Sequence, residues 1–232
     1  MHGIFIGDSM LSKIYLTIDD SPSIHMHKKV DFLINKNIPA IFYARGEHIF
    51  RHPNQIINAI KNGFLIGNNS YSHPYFSEIT FSESIDEIAR TEYLIEKCYQ
   101  SAGKLRPHKI IRLPFADRGA GAKAKEPESE IERNKVRDIQ VFLKKNKFKV
   151  LNFQSADSYI DSYWDWDTED YKTKHINDLD AYIKNMNKFF DGYKSDTAVI
   201  LLHDFDNNHH LFEAFMEFLL NRKIEFLNYQ IL

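Results

Sequence analysis

Two adjacent carboxylates, Asp19 and Asp20, close the run Leu16-Thr17-Ile18 and are followed at once by Ser21 and Pro22. Residues 13–18 alternate polar and apolar side chains and favour β-branched and aromatic types, the pattern of a strand. Pro22 then forces the chain to turn. Successive side chains on an extended segment point in different directions, so the two acids can hold different tasks. One can grip a metal while the other accepts a proton. The plainer reading of Asp-Asp-Ser-Pro is a polar turn that caps the next helix. Other polar residues also stand just past, or at the end of, an apolar run. Asn69 and His73 follow residues 64–67, Arg112 and Pro114 end 109–113, and His203 follows 197–202. An apolar strand that delivers one histidine at its end suits the presentation of a general acid.

Something must hold these residues in place, and the chain has the material for it. It has 232 residues, 43% of them hydrophobic, with 18 Phe and 12 Tyr, which suffices for a large core. A net charge of −2 gives no electrostatic case for nucleic acid or a membrane surface. The single Cys98 excludes an intramolecular disulfide. No apolar run is long enough to span a bilayer. Residues 1–8 lack the basic region and apolar stretch of a signal peptide, so the expected location is cytoplasmic. Strand-like runs at 13–18, 40–44, 64–67, 109–113, 148–153, 197–202 and 224–227 alternate with amphipathic stretches. Pro53 opens one helix and Gly63 closes it. Thr80 with Glu83, and Ser129 with Glu132, form capping boxes ahead of two more. The expectation is an α/β fold with one domain over 1–232: a distorted (β/α) barrel of about seven to eight parallel strands. In such a barrel, chemistry sits at the C-terminal strand ends. Residues 117–128, rich in Gly, Ala, Lys and Glu, read as a mobile insertion.

Five segments together resemble the polysaccharide deacetylase family, the NodB-type carbohydrate esterases, from about residue 13 to 204. Thr17 to Pro22 resembles the first motif, Thr-Phe-Asp-Asp-Gly-Pro, with Ile18 for Phe and Ser21 for Gly. Gly67-Asn68-Asn69-Ser70-Tyr71-Ser72-His73 resembles Gly-Asn-His-Ser/Thr-x-x-His, with Asn69 where the first histidine belongs. Arg112-Leu113-Pro114-Phe115-Ala116 resembles Arg-x-Pro-Tyr-Gly. Asp167-Thr168-Glu169-Asp170-Tyr171 resembles Asp-x-x-Asp-Trp; a rival alignment uses Asp161, Asp165 and Trp166, and Asp157 is a more distant candidate. Leu201-Leu202-His203 resembles Leu-x-His.

The resemblance implies a metal-dependent hydrolase that removes an N-acetyl or other N-acyl group from an amino sugar. Asp19 is then the base, Arg112 the residue that orients it, and His203 the general acid, paired with Asp170. A divalent cation, Zn2+ first, falls to Asp20, His73 and Asn69. The four-residue spacing of Asn69 and His73 puts both on one face of a helical turn. Asn69 offers only a neutral amide oxygen, which weakens the site for zinc. The backbone N–H of Phe115 belongs to the oxyanion hole beside Pro114, Tyr171 lines the pocket, and Leu201 backs the acyl methyl group. The partner is a carbohydrate or a small N-acylated molecule. Allantoinase-like and lipid-sugar deformylase-like hydrolysis remain alternatives, as does an impaired barrel that only binds carbohydrate. His25, His27, His48, His52, His108, His175, His209 and His210 lack the family's spacing and read as solvated loop residues.

Overall fold

The computed structural model describes residues 10–151 and 159–229. Along the chain run β1 (Lys13–Ser21), α1 (Met26–Asn35), β2 (Ile41–Ala44), α2 (Gly46–Arg51), α3 (Pro53–Lys61), β3 (Leu65–Asn68) and α4 (Phe81–Ala102). A 3-10 turn (Pro114–Ala116) precedes α5 (Glu130–Lys145) and β4 (Trp166–Asp167). The order closes with α6 (Thr173–Ile176), α7 (Leu179–Gly192), β5 (Thr197–His203), α8 (His209–Asn221) and β6 (Glu225–Phe226).

Apolar alternation on β1 builds the main core. Ile14, Leu16 and Ile18 turn outward and pack with Phe42, Ala44, Ile200 and Leu202 against Val30, Leu33, Ile56 and Phe215 of the covering helices. The opposite face carries Thr17 and Asp19, together with Ile41, Tyr43, Leu65 and Ile110 of a smaller cluster. Helix ends follow the expected chemistry. Thr80 and Ser129 each accept from the backbone N–H three residues on, and Glu83 and Glu132 return the bond. Gly103 ends α4 with φ 68°, a conformation that glycine adopts without penalty.

All strand pairs are parallel, in the order β3-β2-β1-β5-β4, with β6 paired to the start of β1. Among the described residues, two of the expected strands form isolated bridges and no ladder, Asn68 to Ile111 and Lys109 to Phe148. Pro107 and Pro114 frame the first of these runs, and a proline cannot donate to a ladder. The expected run 148–153 continues outside the described residues. Among the described residues the parallel ladder is an open arc from Phe148 round to β4, with helices on its outer face. β4 itself, two residues long, has no counterpart among the expected strands. The segment 117–128 folds back onto the preceding turn, with Lys123 and Ala124 donating to the carbonyls of Phe115 and Ala116. Asp117 anchors its base, accepting from the backbone of Gly119, Gly121 and Ser77.

Candidate active site

Asp19 and Asp20 do not cap the helix that follows them; α1 begins after His25 without a side-chain cap. They sit in a bulge instead. Thr17 and Ile18 pair with Ile41 and Phe42, but Ser21 pairs with Ala44, so β1 holds one residue more than β2. Asp20 takes φ 59° there, in the left-handed region that costs a non-glycine residue about 1–2 kcal/mol. The bulge re-aims a strand whose alternation would otherwise separate the two acids. His48 helps hold it, its Nδ1 lying 2.8 Å from the Asp20 carbonyl oxygen. His48 is therefore part of the framework and not a solvated loop residue. The same correction applies to His175, which is 2% exposed and bonds the Glu169 carbonyl.

Asp19 Oδ1 accepts from Arg112 Nη1 at 2.7 Å. Burial raises the Asp19 carboxyl to about 6, and the Arg112 charge keeps it from rising further. Arg112 is 1% exposed and crosses the inner face of the sheet, with its guanidinium 4.4 Å from the Tyr43 ring. It also donates to Thr17 Oγ1 at 3.0 Å and to the Ser162 carbonyl at 2.8 Å. Gly67 makes room for Tyr43, since a Cβ there would stand 2.5 Å from the tyrosine ring.

Asp20 faces a second group of residues. Its Oδ1 lies 3.5 Å from Arg45 Nη1 and 3.9 Å from His73 Nε2. The expected helical turn over 69–73 is absent. Ser70 and His73 both take positive φ, 62° and 64°, and side chains bind the backbone that a helix would use. Asn68 Oδ1 accepts the Ser70 N–H, Glu87 of α4 accepts those of Tyr71 and Ser72, and Ser70 Oγ accepts that of His73. This irregular loop carries His73 toward Asp20. Burial lowers the His73 imidazole to about 4, against the pull of Asp20, so the ring is neutral at pH 7. A neutral ring has a lone pair to offer.

Asn69 is fully buried, and its Nδ2 donates to the Arg112 carbonyl at 2.9 Å. A carbonyl only accepts, so Asn69 Oδ1 must point elsewhere. Both Asn69 Oδ1 and Asp20 Oδ1 are buried without a hydrogen-bond partner among the described residues. Two orphaned oxygens and a neutral imidazole are donors that fit a divalent cation. Among the described residues no cluster of three or more His, Cys, Asp or Glu is placed to hold one. The amide oxygen is thus what would complete the Asp20–His73 pair.

His203 ends β5 in register with Asp19 on the neighbouring strand. Its Nδ1 lies 2.8 Å from Asp170 Oδ1. Burial pulls the imidazole down, but the hydrogen bond and charge of Asp170 outweigh it and hold His203 at about 9. The rival carboxylates are engaged elsewhere. Asp161 accepts the Leu113 N–H and faces Arg118, while Asp165 accepts the Val199 N–H. Trp166 stacks on Phe189, and Asp157 lies outside the described residues.

Tyr171 meets the His203 ring edge-on at 4.6 Å, and Leu201, two residues before His203, is buried on the same side of β5. Pro114 is buried, and Phe115 takes φ 57° in the turn after Arg112. The Phe115 ring stacks on Tyr75 at 3.9 Å and meets His73 at 4.7 Å. Lys29, Asp204 and Asn208 stand behind His203, and sequence reasoning did not single them out. Asp204, directly after His203, was the available signal.

The polysaccharide deacetylase family profile matches residues 8–125, half of the chain, and the chain belongs to that family. A peptidoglycan-N-acetylglucosamine deacetylase of Bacillus cereus is 31% identical over 114 residues, 49% of this chain and 40% of that relative. The chain thus spans less than half the length of this relative. The solved structure of the polysaccharide deacetylase Bc1974 from Bacillus cereus superposes with a TM-score of 0.65 at 22% identity, covering 94% of this chain and 92% of that one. BA3943 of Bacillus anthracis, described as a pseudoenzyme, gives 0.64 at 14% identity, over 93% of this chain and 63% of that one. The fold is therefore shared by a protein named a deacetylase and one described as a pseudoenzyme, and activity must be argued from the site. The family is generally metal-dependent. Among the described residues, no helix is long and apolar enough to cross a membrane.

Proposed function

We propose that the chain hydrolyses the N-acetyl amide of an amino-sugar glycan. The observation that carries this reading is the pairing of Asp19–Arg112 with Asp170–His203 on adjacent strand ends. A carboxylate with its charge supported and an imidazole held protonated are the two states that amide hydrolysis needs.

Asp19 keeps Oδ1 on Arg112 and uses Oδ2 to take a proton from the attacking water. Asp20, Asn69 and His73 would hold a divalent cation, zinc in first place, which when bound polarises the acyl carbonyl and makes water more acidic. The Phe115 N–H donates to the oxygen that gains charge as the water adds. His203, protonated through Asp170, passes a proton to the departing amine, so that free amine and acetate result. Leu201 forms the wall behind the acyl methyl group. Tyr171 and the stacked Tyr75–Phe115 pair give the sugar rings flat apolar surfaces. Positioned acids and bases of this kind each contribute about 10²–10⁴-fold.

A second reading, carbohydrate binding without turnover, draws on Asn69 alone, since an amide oxygen is a weaker zinc donor than imidazole. Acetate release from N-acetylglucosamine oligomers separates the two. The hydrolase reading expects release that chelator abolishes and added zinc restores. Binding of the oligomers with no acetate at any zinc concentration would leave only the second reading.

A further inference from the structure

The amide of Asn208, the residue before α8, joins four parts of the fold behind His203 and is fully buried. Its Nδ2 donates to Asp170 Oδ2 and to the His203 carbonyl, both at 2.9 Å. Its Oδ1 accepts from Lys29 Nζ at 2.9 Å and from the Phe205 N–H at 3.2 Å. Every hydrogen-bonding position of the side chain is occupied. The amide also cannot be turned round. An ammonium only donates, so Lys29 holds Oδ1 on its own side and directs Nδ2 at Asp170. Lys29, on α1, is 1% exposed and is itself fixed, donating to Asp204 Oδ1 at 2.7 Å and to the His203 carbonyl at 3.2 Å. Asp204 in turn accepts from the backbone and hydroxyl of Ser23, at 2.7 and 2.8 Å.

We propose that Asn208 is the positioning residue for His203, in a role that rests on the reading of His203 as the group that protonates the leaving amine. Asp170 has two oxygens. Oδ2 accepts from Asn208 and, at 3.1 Å, from the His203 backbone N–H, which leaves Oδ1 for His203 Nδ1. The carboxylate is therefore held aimed at the ring, and the imidazole keeps its Nδ1 proton on Asp170. Nε2 is then the nitrogen that faces chemistry. Lys29 acts one step further back, by setting the direction of the amide.

Asn208→Asp is the informative variant. It keeps the size of the side chain and its acceptors for Lys29 and Phe205, but sets an anionic oxygen against Asp170 where an N–H donor stood. Proton resonances of protein labelled with 15N-histidine read the His203 Nδ1 proton without metal or substrate. The wild type is expected to show this proton shielded from exchange, and Asn208→Asp to lose it or expose it to solvent. Turnover of acetylated oligomers is expected to split, with kcat down more than about tenfold and KM within about twofold. Asn208→Ala serves as the second variant and predicts the same loss. A merely structural role would lower the melting temperature of either variant while the resonance and kcat of the folded protein stayed as in the wild type, and would overturn the proposal. If the wild type released no acetate while the resonance still depended on Asn208, the functional reading would fail and the positioning role would stand. If the wild type turned over while the resonance ignored Asn208, the functional reading would stand and the positioning role would fail.

Discussion

The two sides of the site are finished to different degrees. On the His203 side, Asp170 accepts three hydrogen bonds, and Lys29 donates to both Asp204 and Asn208. On the Asp20 side, two buried oxygens, Asp20 Oδ1 and Asn69 Oδ1, have no hydrogen-bond partner among the described residues. Leaving a buried acceptor unpaired costs about 1–3 kcal/mol, and Asp20 carries backbone strain as well. A chain that satisfies one polar cluster so fully could have satisfied the other. On the proposed function, the contrast means that proton handling is built from the protein's own groups, whereas the Asp20–Asn69–His73 corner would take a cation from outside.

The finished side should break hardest. Lys29→Met leaves Asp204 buried without its ammonium, and removal of one partner from a buried pair costs about 3–5 kcal/mol. Urea denaturation should show this loss, while zinc affinity measured on the folded variant stays near that of the wild type. A fall of less than about 1 kcal/mol, the scale of an exposed pair, would mean that the network is not what stabilises this side.

Asp170→Asn removes the charge that opposes burial of His203. The imidazole should fall from about 9, because burial is then opposed only by the weaker pull of Asp167 and Asp20. Turnover that needs protonated His203 should lose its alkaline limb at a correspondingly lower pH. Stability follows the same proton. His203 binds it more tightly folded than unfolded, so this contribution is complete below about pH 6.5 and fades as pH rises through about 9. An alkaline limb that does not move in Asp170→Asn would remove His203 from the reaction.

The smallest change sharpens the unfinished side. Asn69→His exchanges an amide oxygen for an imidazole nitrogen and should tighten zinc by at least about tenfold. Titration of zinc into both proteins checks it. Equal affinities would place Asn69 outside the cation's ligands.

The sequence shows the two sides unequally for a physical reason. Asp19, Asp20, His73, Arg112 and His203 stand next to readable strand ends, and their family motifs name them. Asp170 follows from the spacing of one motif, and its contact with His203 favours it over Asp161 and Asp165. Lys29 and Asn208 are invisible at that level, because their task is to saturate partners 174 to 179 residues away or on another loop. The loop over 69–73 defeats a spacing argument, since two left-handed residues replace the helical turn that four-residue spacing suggests. β4 is too short to have a period, and prolines frame a 109–113 run that holds only isolated bridges.

The division of labour between adjacent acids tests the contrast most directly, by measuring zinc content and acetate release together in Asp19→Asn and Asp20→Asn. Asp19→Asn should keep its zinc and lose turnover by about 10²–10⁴-fold, as expected for a residue that moves a proton. Asp20→Asn should lose the zinc itself. If Asp19→Asn gives up zinc as completely as Asp20→Asn does, the two carboxylates serve one site and the account of a proton side and a cation side is wrong.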